Sequence, residues 1–127
     1  MIRVFVYGTL RKGERNAHLL NNATCISESC WTQGGLYDTG NGYPAIKQST
    51  SSIVYGEVYE VSNQELIELD YLEGYTEGRE NNLYDRVDQE IITENGRIKA
   101  FVYVAARENL LKTRIASGDW LKYLVER

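Results

Sequence analysis

A single glutamate past the middle of the chain, Glu73, has the position of a possible general base. It follows a helix predicted from Asn63 to Leu72, whose negative dipole end disfavours a carboxylate by roughly 0.3 to 1 kcal/mol at an exposed site. Held among Leu72, Tyr71 and Tyr75, the carboxyl group would have a raised pKa, as a general base near neutral pH requires. On position alone, a solvated surface glutamate is the simpler interpretation.

The second candidate is a glycine at the end of the first predicted strand. Residues Ile2 to Tyr7 are almost all β-branched or aromatic, which is typical of a strand buried on both faces, and Gly8 follows them. Because glycine has no Cβ, the backbone can turn sharply there, and the amides of Thr9 and Leu10 can point into the space beyond the strand. Such amides suit a carboxylate or a developing oxyanion.

The same turn has the glycine spacing of a nucleotide-binding loop, because Gly8 and Gly13 stand at the positions of G-x-x-x-x-G. A nucleotide loop needs Lys and then Ser or Thr directly after its second glycine. Here Glu14 and Arg15 follow, which puts a carboxylate where phosphate would bind. The sequence therefore excludes a nucleotide loop, and we expect no cofactor.

Metal and nucleophile sites are not expected either. His18 is the only histidine, so no two-histidine metal site can form, and its short helical surroundings favour a packing or surface role. Cys25 and Cys30 match neither a C-x-x-C redox pair nor a zinc ribbon. On one strand their odd separation would place them on opposite faces, so we expect reduced, structural cysteines.

Size and charge narrow the class of protein. A chain of 127 residues fits one compact domain, residues 1–127, and its net charge of −4 disfavours nucleic acid and anionic membrane as partners. No apolar run approaches the length of a bilayer span, and the chain enters a strand without the apolar stretch of a signal peptide. We predict a cytoplasmic protein that acts on a small molecule.

The elements that must position these residues are strands with helices between them, which predicts an α+β fold. Strands are predicted at 2–7, 24–31, 53–61, 83–93 and 97–105, with tight turns at Asn41-Gly42 and Asn95-Gly96. Helices are predicted at 14–21, 63–72 and 107–117, followed by a last helical segment that Asp119 caps. The central helix begins with a capping box of Ser62 and Glu65, and Leu66, Ile67, Leu69 and Leu72 are expected to form its apolar face.

Four motifs in this order resemble the γ-glutamylcyclotransferase family, in its AIG2-like group: VFVYGTLRKG at 4–13, LDYLEGY at 69–75, LYDRV at 83–87 and AFVYV at 100–104. The resemblance extends from Ile2 to about Trp120. It implies a small mixed β-barrel flanked by short helices. It also implies an enzyme that needs no metal and cyclises a γ-glutamyl amide or amine to 5-oxoproline, releasing an amine or amino acid.

The resemblance also assigns site residues. Glu73 would be the catalytic general acid/base, and the substrate-binding residues would be Tyr7, Gly8, Thr9, Leu10, Tyr43, Tyr84 and Tyr103. Asp70 is expected to support the site. Tyr84 and Arg86 alternate on one strand and so face the same side, where the alternative is a sheet surface with an exposed arginine. The opposite wall of the pocket is predicted from Tyr37, Tyr43, Ile46 and residues 76–82.

Two other functions fit the same residues. One is a non-catalytic module that uses the pocket to bind a small amino-acid-like ligand. The other is an acid-base enzyme that acts on a different amide or on a lactam, with the same base and the same anion-binding turn. Release of 5-oxoproline from γ-glutamyl compounds would distinguish the three.

Overall fold

The computed structural model describes residues 1–126 and contains a closed five-stranded barrel with a separate three-stranded sheet. The strands are β1 (Ile2–Val6), β2 (Thr24–Gln33), β3 (Gly35–Asp38), β4 (Pro44–Lys47), β5 (Ile53–Val61), β6 (Tyr84–Thr93), β7 (Gly96–Ala105) and β8 (Thr113–Arg114). The α-helices are α1 (Asn63–Leu72) and α2 (Trp120–Glu126), with 3₁₀ turns at Ala17–Leu20 and Glu108–Leu110. The barrel order is β1-β5-β2-β6-β7, and β4-β3-β8 form the second sheet.

Strand β1 closes the barrel, because it pairs antiparallel with β5 and parallel with β7. The barrel is therefore mixed, and the predicted α+β fold with a mixed barrel and short helices is confirmed. One face of β1 packs Phe5 into a cluster with Trp120 of α2, whereas the other packs Val4 and Val6 with Leu69 of α1. Burial on both faces fixes where the strand ends, and hence where its following turn lies.

Helix α1 begins and ends where the sequence predicts. Ser62 Oγ accepts a hydrogen bond from Glu65 N at 3.1 Å, and Glu65 Oε1 accepts one from Ser62 N at 2.8 Å, so the capping box is present. The predicted apolar face is wrong in part, because Leu69 is buried but Ile67 is 62% exposed. Side chains two residues apart on a helix point in nearly opposite directions, so Ile67 and Leu69 cannot both face the core.

The helix predicted at 107–117 is wrong. After the 3₁₀ turn, β8 pairs with Tyr37 and Asp38 of β3, and Ile115 N donates to Leu36 O at 2.8 Å. The edge of β3 offers this segment hydrogen bonds that local helical spacing does not reveal.

Two further local predictions are corrected. The helix predicted at 14–21 shrinks to the turn Ala17–Leu20, because Asn16 N donates to Thr9 O at 2.9 Å and ties the chain back toward β1. The hairpin between β6 and β7 forms as predicted, but the Asn-Gly turn is expected to have positive φ angles at both residues. Only Gly96 has one, of 119°, and Asn95 does not.

The two cysteines are free, as predicted: Cys25 is exposed and Cys30 is buried. Burial raises the pKa of the Cys30 thiol to about 11, and its Sγ donates to Gly56 O at 3.3 Å. Register shifts interrupt the pairing of β2 with β5 between these cysteines, so simple alternation does not decide their faces. Within residues 1–126, neither α-helix has the length and apolar character needed to span a membrane.

Candidate active site

A cavity of about 280 Å³ opens beside the end of β1. Its walls come from the turn after β1, the loop before β4, the end of α1 and the barrel strands β6 and β7. The residues predicted as catalytic or substrate-binding line it: Tyr7, Gly8, Thr9, Leu10, Tyr43, Glu73, Tyr84 and Tyr103.

Glu73 is the C-cap residue directly after α1, and its N–H donates to Leu69 O at 2.9 Å. The side chain is half-buried, and burial raises the pKa of its carboxyl group to about 7. Within residues 1–126, no hydrogen-bond donor or cation of the protein pairs with this carboxylate. A carboxyl group of this kind can take up and release a proton near neutral pH.

The turn after β1 carries the two backbone amides that the sequence predicts to bind an anion, those of Thr9 and Leu10. Arg11 N donates to Gly8 O at 3.0 Å, which closes the turn over Thr9 and Leu10. Asn16 stabilises the turn as well, because its Nδ2 donates to Thr9 Oγ1 at 3.0 Å. Among the described residues, the amides of Thr9 and Leu10 find no acceptor in the protein, so they are available to an anion.

Gly8 is required by packing. A Cβ at this position would lie 2.7 Å from both Cδ and Cγ of Pro44, which is closer than real contacts allow. The absent side chain therefore lets the proline ring at the start of β4 pack directly against the turn. Pro44 also lines the cavity, so the two walls meet at this point.

A buried ionic group supports the turn from below. Glu57 of β5 is 4% exposed and accepts hydrogen bonds from Arg11 Nε at 3.1 Å, Lys12 N at 3.0 Å and Tyr59 OH at 2.7 Å. Arg11 Nη1 also donates to Asp119 Oδ1 at 3.0 Å, and Asp119 caps α2 through Leu121 N. The residues that follow the turn are thus fixed to β5 and to α2.

Three tyrosines form much of the cavity wall, and each hydroxyl donates to the protein. Tyr7 OH donates to Tyr103 O, Tyr84 OH to Pro44 O and Tyr103 OH to Asp70 Oδ1, all at 2.6 Å. Burial raises the pKa of all three hydroxyls, and the negative charge of Glu73 adds to the shift. They therefore stay protonated at neutral pH, with their protons already engaged.

Asp70 and Arg86 connect α1 to the barrel. The guanidinium of Arg86 donates to Asp70 Oδ2, and it lies 5.0 Å from the ring centre of Tyr75 and 4.6 Å from that of Phe101. The Arg86 side chain is only 15% exposed, so the alternative of an exposed arginine on a sheet surface is wrong. Asp70 thereby joins the helix that carries Glu73 to β6 and β7.

The predicted opposite wall is wrong in most of its members. Tyr37 lies 5.8 Å from the Arg114 guanidinium in the second sheet, Ile46 is in the core, and neither they nor residues 76–82 line the cavity. The sequence interpretation missed Arg15 and Asn16, which the short 3₁₀ turn brings to the cavity. A polar residue directly before that turn was the available signal. Within the described part of the chain, no group of three His, Cys, Asp or Glu residues could hold a metal ion.

A model of the family described as gamma-glutamyl cyclotransferase, AIG2-like, matches residues 4–122. The chain belongs to this family. The predicted resemblance and the prediction of a γ-glutamylcyclotransferase-like enzyme are both confirmed.

Relatives of known name agree with this family. The chain is 39% identical over 127 residues to the gamma-L-glutamyl-butirosin B gamma-glutamyl cyclotransferase of Niallia circulans, covering 99% of this chain and 80% of that protein. It is 41% identical over 106 residues to a putative gamma-glutamylcyclotransferase of Halalkalibacterium halodurans, covering 82% and 93%. The crystal structure of YkqA from Bacillus subtilis superposes with a TM-score of 0.79 at 32% identity, over 98% of this chain but 41% of that longer chain.

Proposed function

We propose that this γ-glutamylcyclotransferase family member cyclises a γ-glutamyl amide or amine to 5-oxoproline and releases an amine or amino acid, with Glu73 as the general acid/base. The observation that carries the proposal is the half-buried carboxyl group of Glu73, which pairs with no donor or cation of residues 1–126 and whose pKa is raised to about 7. It lies in the cavity that also holds the turn of Gly8 to Leu10. The name of the butirosin relative supports a γ-glutamyl compound as substrate.

The substrate supplies its own nucleophile. Its α-amino group can reach its γ-carbonyl carbon through a five-membered ring, so the enzyme has only to hold the folded conformation. The α-ammonium group must first lose a proton, which the Glu73 carboxylate accepts. The amine nitrogen then attacks the γ-carbonyl carbon and forms a tetrahedral intermediate.

The turn after β1 has two anions to bind in this reaction. The amides of Thr9 and Leu10 can donate to the substrate's α-carboxylate or to the oxyanion of the intermediate. When the intermediate collapses, the bond from the γ-carbon to the leaving nitrogen breaks, and protonated Glu73 gives its proton to that nitrogen. The carboxylate of Glu73 is thereby restored, and the ring nitrogen, which became positively charged on attack, releases its second proton to that carboxylate or to water as the lactam forms.

Three tyrosines that line the cavity, Tyr7, Tyr84 and Tyr103, do not compete with Glu73 for this role. The hydroxyl protons of Tyr7, Tyr84 and Tyr103 are directed to protein oxygens, and burial holds their pKa values above the ordinary value. Their oxygen atoms keep lone pairs that can accept from the substrate ammonium group. We assign them to binding and to the exclusion of water.

The test is release of 5-oxoproline from a panel of γ-glutamyl dipeptides and γ-glutamyl amines, measured by chromatography. Wild type should convert at least one compound, and Glu73→Gln should lower kcat by a factor of about 1,000 or more, the upper range for loss of an acid-base group. Glu68→Gln, an exposed residue on the same helix, is the matched control and should keep full activity.

The outcomes also decide between the alternatives stated from the sequence. Saturable binding of γ-glutamyl compounds with no product from any of them would support the binding module. A product other than 5-oxoproline would support action on another amide or on a lactam. Full activity in Glu73→Gln would remove the proposed base while leaving the family assignment intact.

A further inference from the structure

Among residues 1–126, two charged side chains line the cavity, and they have opposite signs and different depths. Glu73 is half-buried, whereas Arg15 is exposed. Within residues 1–126, the Arg15 guanidinium makes no ion pair or hydrogen bond with the protein. Arg15 is therefore a cation at the mouth of the cavity that is available to a ligand.

The surroundings of Arg15 fix its position. A Cβ at Gly42 would lie 3.2 Å from Arg15 Nη1, so the guanidinium rests against the turn that precedes Tyr43 and Pro44. In the same turn, the position of a Cβ at Gly40 lies 3.9 Å from Lys112 Nζ. Two cations therefore lie near this turn together with the buried Asp38 carboxylate, which already accepts from Gly40 N at 2.8 Å. The net charge of these three groups is positive and favours a negative group nearby.

The depth of each charge indicates which part of the substrate it meets. The ring-forming end of a γ-glutamyl compound must lie inside, beside Glu73, because its ammonium group gives up a proton there. The leaving group differs among γ-glutamyl compounds and must depart, so it lies toward the mouth. A guanidinium there forms strong, directional hydrogen bonds with a carboxylate.

We propose that Arg15 binds a carboxylate carried by the leaving group, so that this enzyme prefers γ-glutamyl amino acids or peptides over γ-glutamyl amines without an acidic group. The inference rests on the proposed function and adds the substrate class to it. Arg15 is then a specificity-determining residue that contacts substrate without taking part in proton transfer.

The test compares substrates that differ only in this charge. The first pair is γ-glutamyl-alanine and γ-glutamyl-alaninamide, and the second is γ-glutamyl-6-aminohexanoate and its amide, which places the carboxylate farther away. The ratio of kcat/KM for acid over amide is measured for wild type, Arg15→Gln and Lys112→Gln. Lys112→Gln is the control, because it makes the same charge change beside the same turn without lining the cavity.

In wild type, the acid should exceed its amide by about tenfold in at least one pair, as expected for a charge-assisted hydrogen bond. Arg15→Gln should bring that ratio to about one and leave the neutral substrate within about twofold of wild type. Lys112→Gln should keep the preference.

Three results would overturn the inference. These are a wild-type ratio near one in both pairs, a preference that Arg15→Gln keeps with unchanged kcat/KM values, and a preference that it keeps with an equal loss of kcat/KM for acid and amide. The last would assign Arg15 to the α-carboxylate of the γ-glutamyl group. Absence of 5-oxoproline from all four compounds, with conversion of another γ-glutamyl compound of the panel, would overturn only the inference, as would turnover of the amides alone. Absence of 5-oxoproline from the whole panel would overturn the proposed function and this inference together.

Discussion

The hydroxyl of Tyr103 donates a 2.6 Å hydrogen bond to Asp70 Oδ1, and this bond joins β7 to the helix that ends at Glu73. Arg86 holds the second oxygen of the same carboxylate. The position of the proposed base therefore depends on contacts that lie one helical turn before it.

Tyr103→Phe should displace Glu73 without unfolding the protein. It removes one hydrogen bond, at a cost of about 1 kcal/mol in the free energy of unfolding, while Arg86 keeps Asp70 neutralised. We expect kcat to fall by about tenfold, measured by steady-state kinetics. Tyr71→Phe is the control, because Tyr71 is on the same helix and is 90% exposed. Equal kcat values in the two variants would show that this bond does not position the base.

The pH dependence of activity should report the Glu73 carboxyl group. Because burial raises its pKa to about 7, the carboxylate form that accepts a proton is lost below that pH. The value of kcat/KM should therefore rise with pH and level off above an apparent pKa of about 7. A profile that is flat from about pH 5 upward, as an ordinary glutamate would give, contradicts the assignment.

The same raised pKa should make Glu73 a source of instability at alkaline pH. The folded protein binds this proton more tightly than the unfolded chain does, so stability from this group is full below about pH 4.5 and is lost as pH rises through about 7. Glu73→Gln lacks the charge, and its free energy of unfolding should exceed that of wild type by at most about 3 kcal/mol well above that pH. Urea unfolding at several pH values measures the difference, with Glu68→Gln as control. A constant difference between the two proteins at all pH values would count against the shift.

Glu57→Gln should weaken substrate binding more than turnover. The Glu57 carboxylate accepts from three donors next to the turn of Gly8 to Leu10, and a glutamine can satisfy at most two of them with its single oxygen. We expect KM to rise by roughly five- to tenfold with kcat within about twofold of wild type, because the turn loses order while Glu73 is untouched. Glu90→Gln, which breaks an exposed ion pair with Arg97, should change neither constant. An unchanged KM in folded Glu57→Gln would show that the ionic group does not support the turn.

Gly8→Ala should cause a large loss of activity although it adds only one methyl group. The new Cβ would meet the Pro44 ring at 2.7 Å, and a proline ring cannot rotate out of the way. Pro44 or the turn must then move by a few tenths of an ångström or more, and kcat/KM should fall by about a hundredfold. Gly35→Ala in the second sheet, whose Cβ would meet the Tyr37 ring at 3.4 Å, is the comparison. Similar kinetics for both variants would argue against the close approach at Gly8.

Local signals were enough to predict the elements that carry the site. The strand Ile53–Val61 and the helix Asn63–Leu72 have the predicted bounds, because their limits come from a β-rich composition, a capping box and a stopping glycine within the same stretch. The segment 107–117 failed because its partner is β3, far away in sequence, and only the folded chain shows that pairing.

The residues of the candidate site show the same contrast between local signals and tertiary contacts. Glu73 and the turn after Gly8 could be placed in the site from the sequence, since each lies in a short motif. Arg15 and Asn16 reach the cavity because the chain folds back toward β1, and no periodic pattern indicates this. From the sequence alone, Arg86 could be a surface residue on its strand. The structure shows that Asp70, Tyr75 and Phe101 surround it. Sequence thus identifies groups with chemistry of their own, while partners that depend on tertiary contact emerge only from the structure.

Closure of the barrel by β1 and β7 bears on how the enzyme matures. The hydrogen bond from Tyr7 OH to Tyr103 O spans 96 positions of the chain, and both residues line the cavity. During synthesis, the edge of β1 that pairs with β7 must therefore stay unpaired until most of the polypeptide has left the ribosome. Such high contact order slows folding, so the cavity that holds Glu73 is among the last features to form in a newly synthesised molecule.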